Sequence, residues 1–301
     1  MELRHLRYFL AVATANSFTR AAEELGISQP TLSHQVRQLE DIAGTSLFDR
    51  LGKKVRLTPA GHDLVVHARN ALRAADAAVQ SFADRAELLG GKLTIASFPS
   101  LRPLVVRTIS RFVQDYPKIR IVHHELKSYE IHELIQLGDV EVGFGVNTSI
   151  PSSLVGKPLY REPLVLAYRA GHPLAGLDSI EMKDVGNTPF VSFGYERFTQ
   201  NAINGFFKRN GFLPNVCLDA PSIDVLFDVL SRTDAVALAP RHFVASRSDI
   251  EFYENLVRPP TRSVALLSAA RYHVSVASNE FRKVVMTEAN AMKKETAAPR
   301  P

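Results

Sequence analysis

The chain has 301 residues, 46% hydrophobic and 22% charged, a balance that supports a folded core and excludes wholesale disorder. At about 100–200 residues per domain it makes two or three domains. Its 36 basic and 31 acidic residues leave a net charge of +5, compatible with a polyanionic partner, while the single cysteine, Cys217, excludes a disulfide framework and a multi-cysteine metal site.

One cysteine favours a reducing compartment, and no run of about 18 apolar residues asks for a membrane, so a cytoplasmic protein is expected. Arg4 and Arg7 ahead of Tyr8–Ala15 imitate a short leader, but Leu3, Leu6, Phe9, Leu10 and Ala13 fall at helical spacing, which predicts an amphipathic helix instead.

Ser17 is a suitable N-cap for a second helix through Leu25, and Gly26 supplies the left-handed residue that ends it. Ser28 caps a third helix with Pro30 in its first turn, and is also an expected DNA contact beside Gln29. Two short helices across a glycine-containing turn make a helix-turn-helix. On the third helix Leu32, Val36 and Leu39 form an inward stripe. Pro30, Ser33, His34 and Arg37 point the opposite way, with Gln29 at the tip. Such a face suits the major groove: Gln pairs with adenine edges, a Pro ring or methyl touches thymine, and Arg37 reaches phosphate or a base at the rim.

Leu47–Arg50 and Val55–Leu57 predict a hairpin, the wing, whose tip carries Lys53 and Lys54. Residues 1–58 hold eight basic and six acidic side chains, so placement matters more than total. Arg50, Lys53, Lys54 and Arg56 cluster where they either straddle a phosphate backbone or merely solubilise a turn; beside a helix-turn-helix the first reading is preferred.

These residues resemble the LysR-type transcriptional regulators. Asn16–Leu25 looks like that family's first reading-head helix, Ile27–Ser33 with Arg37–Glu40 like its recognition helix, and Leu47–Arg50 with Leu57–Gly61 completes the pattern. Many members carry Arg where this chain has His34, so the base preference there does not transfer.

Thr58 and Pro59 open a long helix expected to reach Leu89 before Gly90-Gly91. Val65, Ala68, Leu72, Ala75, Val79, Phe82, Ala86 and Leu89 form an unbroken heptad seam that asks for a partner helix, with packing on its own chain as the alternative. Val65, Leu72, Val79, Phe82 and Leu89 are the expected dimerisation residues. The resemblance implies pairing through this helix and a homodimer or homotetramer. Two heads on a dimer predict an interrupted inverted repeat in promoter DNA.

Beyond Gly91 strands and helices alternate. Expected strands are Leu93–Ser97, Ile119–His124, Val140–Gly145, Leu164–Arg169, Phe190–Ser192, Val216–Leu218, Ala235–Ala239 and Val264–Ala270, with helices between them, a last helix over residues 275–293 and a disordered tail. This predicts two α/β lobes with parallel sheets. The expected organisation is a winged helix-turn-helix over residues 1–58, a linker helix over 59–90, and an effector-binding region over 91–301. Lobe I takes residues 91–161 and 265–293, and lobe II takes 162–264. The lobes resemble the family's effector region and, more distantly, periplasmic binding proteins. Thr233–Pro240 departs from the Gly-x-Gly-x-Ala run that many members carry.

In open α/β sheets ligands settle at the carboxyl ends of strands, and helix N-termini there receive anions. Ser100 and Ser128 align by context with effector-contacting hydroxyls of the family, though each also reads as a plain N-cap; for Ser192 the structural reading is preferred. Arg102 offers a counter-charge, and Phe144 is a candidate cleft wall if it is not core. The expected effector is a small carboxylate or inorganic anion. No metal-ligand spacing, phosphate loop or nucleophile motif occurs, so no cofactor, metal or enzymatic activity is expected. The resulting expectation is an effector-controlled DNA-binding regulator working with RNA polymerase. Its alternatives are an effector-independent regulator whose lobes serve only assembly, or a DNA-tethered enzyme without a candidate nucleophile.

Overall fold

The computed structural model describes residues 1–51, 54–83, 91–146, 150–186, 188–192, 197–270 and 275–297. They form two compact units, one built chiefly from residues 1–87 and one from most of the remainder.

In the first unit α1 (Leu3–Ala15), α2 (Phe18–Leu25) and α3 (Gln29–Ala43) precede a hairpin of β1 (Phe48–Leu51) and β2 (Lys54–Leu57), then α4 (Pro59–Ala83). The caps act as their chemistry requires. Ser17 Oγ accepts the Arg20 N–H at 3.4 Å, and Ser28 Oγ that of Thr31 at 3.3 Å. Gly26 ends α2 at φ +65°, where a side chain would be strained. Leu6, Phe9 and Val12 of α1 share one core with Ala21 and Ala22 of α2 and the Leu32, Val36, Leu39 stripe of α3. Phe48 joins this core from the wing, its ring centroid 5.3 Å from Phe9 and 5.7 Å from Phe18.

The start of α4 is held to the chain leading into the wing. Thr58 Oγ1 accepts the Gly61 N–H at 3.0 Å and donates to the Ser46 carbonyl at 2.8 Å. Its N–H donates to the Leu47 carbonyl at 3.0 Å. A Cβ at position 61 would collide with that same carbonyl. Further along, Ala68 is buried and Val65 and Leu72 pack partly against the core of this unit. The front of the heptad seam is therefore occupied by its own chain, because α1 lies alongside α4. The side chains of Val79 and Phe82, and the whole of Leu89, lie outside the described residues.

The second unit opens with β3 (Gly91–Ser97), a 3₁₀ turn (Pro99–Leu101), α5 (Arg102–Asp115), β4 (Ile119–Glu125), α6 (Ser128–Leu137) and β5 (Val142–Val146). The long β6 (Leu154–Arg169) follows, then α7 (Met182–Val185), β7 (Pro189–Ser192), α8 (Arg197–Arg209), β8 (Asn215–Asp219), α9 (Ile223–Leu230) and β9 (Ala237–Pro240). The unit closes with α10 (Arg241–Val244), β10 (Ile250–Tyr253), β11 (Thr261–Ala269) and α11 (Val276–Ala297).

Strands run in the order β10-β6-β11-β5-β3-β4, with β9 also on β6. β3 pairs parallel with β4 and β5, β7 with β8, and Phe190 of β7 also bridges Val236 in parallel; β6 and β11 pair antiparallel with each other and with their other neighbours, so the expected parallel sheets are mixed. Two cores result, one around Leu93, Phe112, Phe144 and Phe281 and another around Leu164, Phe190, Phe206 and Phe227. The lobes exchange chain through β6, which pairs β11 up to Pro163 and β9 from Leu164 onward.

Several expectations shift. β6 starts ten residues before the expected Leu164, and β10, α7 and α10 were not foreseen. The last helix continues to Ala297, past the tail expected to be disordered from residue 293. Cys217 on β8 is exposed because that strand packs little of its surface, and its thiol donates to the Phe190 carbonyl at 3.5 Å.

Adding a methyl group at Gly61 should disturb the junction of wing and α4. Gly61→Ala is expected to cost about 1–3 kcal/mol, the usual range for overpacking, in denaturant unfolding of the first unit. An unchanged midpoint would contradict the close approach to Leu47.

Candidate functional site

The first unit presents the α3 face. Gln29, Pro30, His34 and Arg37 are exposed, and Ser33 is half-buried. Gln29 Nε2 donates to Ser33 Oγ at 2.8 Å, so the two polar side chains at the tip are pre-positioned on one turn. Ser28 is engaged in capping, its Oγ 2.7 Å from Thr31 Oγ1. Glu40, at the far end of α3, accepts the N–H groups of Leu47 and Phe48 at 2.8 and 3.2 Å, which ties the hairpin to α3. Arg56 on β2 is exposed. Arg50 and Lys54 lie on β1 and β2 by their backbone; their side chains, and all of Lys53, fall outside the described residues.

The second unit holds a charged network where the two lobes join. Glu162 of β6 faces Arg262 of β11 directly across the antiparallel pair. Glu162 is fully buried and Arg262 is 3% exposed. Arg262 Nε donates to Glu162 Oε1 at 2.7 Å, and Nη2 lies 2.6 Å from the same oxygen. The other end of the guanidinium holds Ser100: Nη1 donates to its Oγ at 2.6 Å and Nη2 to its carbonyl at 3.1 Å. On the opposite side Glu162 Oε2 is 2.6 Å from His242 Nδ1, and His242 Nε2 is 3.2 Å from the Met292 carbonyl. Ser100, Arg262, Glu162 and His242 thus connect β3's end, both crossing strands, α10 and α11.

Ser100 is therefore neither an open hydroxyl nor a plain N-cap; it is buried in the turn ahead of α5 and held by Arg262. Ser128 is the first residue of α6 rather than its cap, since Glu130 Oε2 accepts the Lys127 N–H at 2.8 Å, and its half-exposed hydroxyl makes no hydrogen bond among the described residues. Ser192 is buried at the end of β7, where its Oγ donates to Gln200 Oε1 at 3.4 Å.

Arg102, expected as a counter-charge, reaches Glu125 at 3.3 Å and Asp224 at 3.0 Å, bridging the lobes. The hydrogen bond to Asp224 leads the interactions that raise its pKa against the effect of burial. Phe144 does not wall a cleft: it is wholly buried in β5, edge-on to Phe281 at 6.4 Å, because its strand is central in the sheet. Among the described residues no group of three or more His, Cys, Asp and Glu could hold a metal ion. No helix among them is long and apolar enough to cross a membrane.

Glu162, Arg262 and His242 were missed from sequence because a charge ends an apolar run; both crossing strands were expected to begin two residues after their charged member. The available signal was one acid and one base, each just ahead of a strongly apolar strand.

Loss of Glu162 should strand Arg262 in a buried site. Glu162→Gln is expected to cost about 3–5 kcal/mol, as for a broken buried pair. Burial opposes ionisation of Glu162, but Arg262 and His242 outweigh it and hold its pKa below the ordinary carboxylate value. The pair's stabilisation is then complete above that ordinary value and is lost as pH falls through the lowered one. Acid unfolding should be shallower in Glu162→Gln than in the parent; parallel profiles would contradict this.

Comparison with known proteins agrees with both halves. Residues 3–62 match the model of the bacterial regulatory helix-turn-helix proteins of the lysR family, and residues 86–290 match the LysR substrate binding domain. The Escherichia coli K12 uncharacterized HTH-type transcriptional regulator YnfL is 34% identical over 253 residues, 81% of this chain and 83% of its own. A full-length OxyR variant from Pseudomonas aeruginosa superposes with a TM-score of 0.74 at 23% identity, over 96% of this chain and 95% of its own. Full-length CbnR complexed with its target DNA superposes at 0.65 with 22% identity, over 96% of this chain and all of its own. A winged helix-turn-helix, a linker helix and two α/β lobes carrying the substrate binding domain make this chain a member of the LysR family of transcriptional regulators.

Proposed function

We propose that this regulator reads promoter DNA through Gln29, Pro30, Ser33, His34 and Arg37, grips phosphates with Arg50, Lys53, Lys54 and Arg56, and is controlled by a small anion bound between its two lobes. It acts in the cytoplasm on an interrupted inverted repeat, with RNA polymerase, as a homodimer or homotetramer paired through the later turns of α4. The domain limits are those given above: residues 1–58, 59–90 and 91–301.

The observation that carries effector control is the network at the lobe junction. Arg262 holds Ser100, at the carboxyl end of β3, to Glu162 on the strand entering the other lobe. An effector contacting the Ser100 turn or Ser128 acts on the residues that fix the lobes. It shifts their arrangement only by its differential affinity for the two states. The matched charges on Arg102 favour the second reading, an effector-independent regulator, since that guanidinium already has two carboxylates. The absence of any candidate nucleophile in the sequence supports a non-enzymatic role.

A thermal-shift screen of the chain with small carboxylates and inorganic anions separates these readings. At 100 times its dissociation constant a ligand stabilises by about 2.7 kcal/mol, a shift of roughly 5–10 °C for a unit of this size. A hit that Ser128→Ala weakens supports effector control; no hit across the panel, with DNA binding intact, supports the alternative.

For DNA, Arg56→Ala should weaken all sequences alike and lower the salt slope by about one. Gln29→Ala should instead lose about 1–3 kcal/mol of discrimination at one base pair. Equal losses on specific and random DNA in a titration of Gln29→Ala would contradict its assignment as a base reader.

A further inference from the structure

His242 spans the two lobes, because the helices on either side of it belong to different cores. Phe243 and Val244 of α10 lie in the core of Leu164 and Phe227, while Phe281, Val285 and Met292 of α11 lie in that of Leu93 and Phe144. The ring, its side chain 9% exposed, sits between them. Nδ1 is 2.6 Å from Glu162 Oε2 and Nε2 is 3.2 Å from the Met292 carbonyl.

Both of these partners accept. A carbonyl has no proton to give, and Glu162 is held ionised by Arg262, which donates to its Oε1 at 2.7 Å. A neutral imidazole has one donor and one acceptor nitrogen, and an imidazolium has two donors. The two bonds therefore exist together while His242 holds its second proton. When that proton leaves, Nδ1 keeps its own, since its bond to the carboxylate is the shorter and charge-assisted one. Nε2 is left with a lone pair against the Met292 carbonyl, and that contact breaks. The proton passes to water in a cavity of about 600 Å³ between α5, α10 and α11, which His242 and Met292 both line.

The charges around the ring come from every neighbouring element. Arg262 of β11 is bonded to Glu162 of β6, Arg107 of α5 to Glu295 of α11 at 2.8 Å, and Arg241 of α10 to Glu254 at 2.7 Å. Tyr160 of β6 meets the imidazole edge-on at 5.2 Å, and burial keeps its phenol un-ionised. Of these residue types histidine alone ordinarily changes charge between about pH 5 and 8.

We propose that His242 is a proton-operated latch between the lobes: as an imidazolium it ties α10 to both Glu162 and α11, and loss of the Nε2 proton releases α11. The regulator then responds to acidity through its lobe junction. The latch needs no effector, so it operates whether or not an anion binds between the lobes.

The test is nitrogen-15 NMR of the full chain labelled on its histidine rings, with the His242 signal assigned through its contact with the Tyr160 ring. The titration runs from about pH 5.5 to about 9.5, the upper end lying about three units above the ordinary histidine value. Both ring nitrogens of His242 should carry protons at the acid end, and Nε2 should lose its proton within the range. Hydrogen exchange of α10, compared at each pH between the parent and His242→Gln, gives the second readout. Gln can donate to Glu162 but does not bridge both acceptors. The parent should exchange roughly two- to tenfold more slowly while the imidazolium persists, the effect of one hydrogen bond. The two rates should converge as Nε2 loses its proton. A neutral His242 at the acid end overturns the latch, and so does a proton retained to the alkaline end. An exchange ratio that stays constant through the His242 step also overturns it. The NMR titration decides the matter even if His242→Gln fails to fold.

Discussion

The buried pair of Arg262 and Glu162 is the constraint around which the regulatory region is arranged. Two ions withdrawn from water on a sheet carry a desolvation cost of several kcal/mol each, and hydrophobic residues of similar shape often stabilise a fold better. Such a pair holds only with good geometry and further hydrogen bonds. Both conditions are met: one guanidinium serves Glu162 and the hydroxyl and carbonyl of Ser100, and the second carboxylate oxygen faces His242. Because the two residues stand opposite each other on the strands that join the lobes, any rotation between lobes must stretch or reset these bonds. A salt bridge with few satisfactory geometries makes the junction choose among arrangements instead of flexing continuously.

The DNA-binding unit follows similar logic on a smaller scale. A recognition helix must bury one stripe and leave the opposite face free, and the core of Leu32, Val36 and Leu39 does the first. Glu40 then converts a helix and a hairpin into one rigid reader by accepting two N–H groups from the start of the wing. The residues expected to touch bases take no part in this scaffold, apart from Ser28, whose hydroxyl caps the helix. Substitutions on that face therefore leave the buried stripe and the Glu40 link intact.

Much of this was legible in the sequence because local chemistry dominates there. Ser17, Gly26, Ser28 and Pro30 set helix ends through their own backbone preferences, and the Leu32, Val36, Leu39 spacing gives the buried face directly. The alternating order of strands and helices indicated two α/β lobes. Pairing partners were not legible: antiparallel β6 and β11 and the edge strand β10 depend on contacts between residues about a hundred positions apart. The same distance hid the hinge. Arg262 and Glu162 look like surface charges just ahead of a strand until the strands are paired. Phe144 was misplaced for a related reason, since a residue at the carboxyl end of a central strand can face a cleft or a covering helix, and here it meets Phe281 of α11.

The central question is whether the Arg262–Glu162 pair sets the arrangement of the lobes. Pulsed electron paramagnetic resonance between spin labels at Lys118→Cys in one lobe and Leu213→Cys in the other, with Cys217→Ser to remove the native thiol, measures this directly. Both label positions are exposed. With the pair intact the distance distribution should be narrow, and Glu162→Gln should broaden or shift it. Superimposable distributions from a folded Glu162→Gln chain would show that the lobes are held by packing alone and would contradict the account.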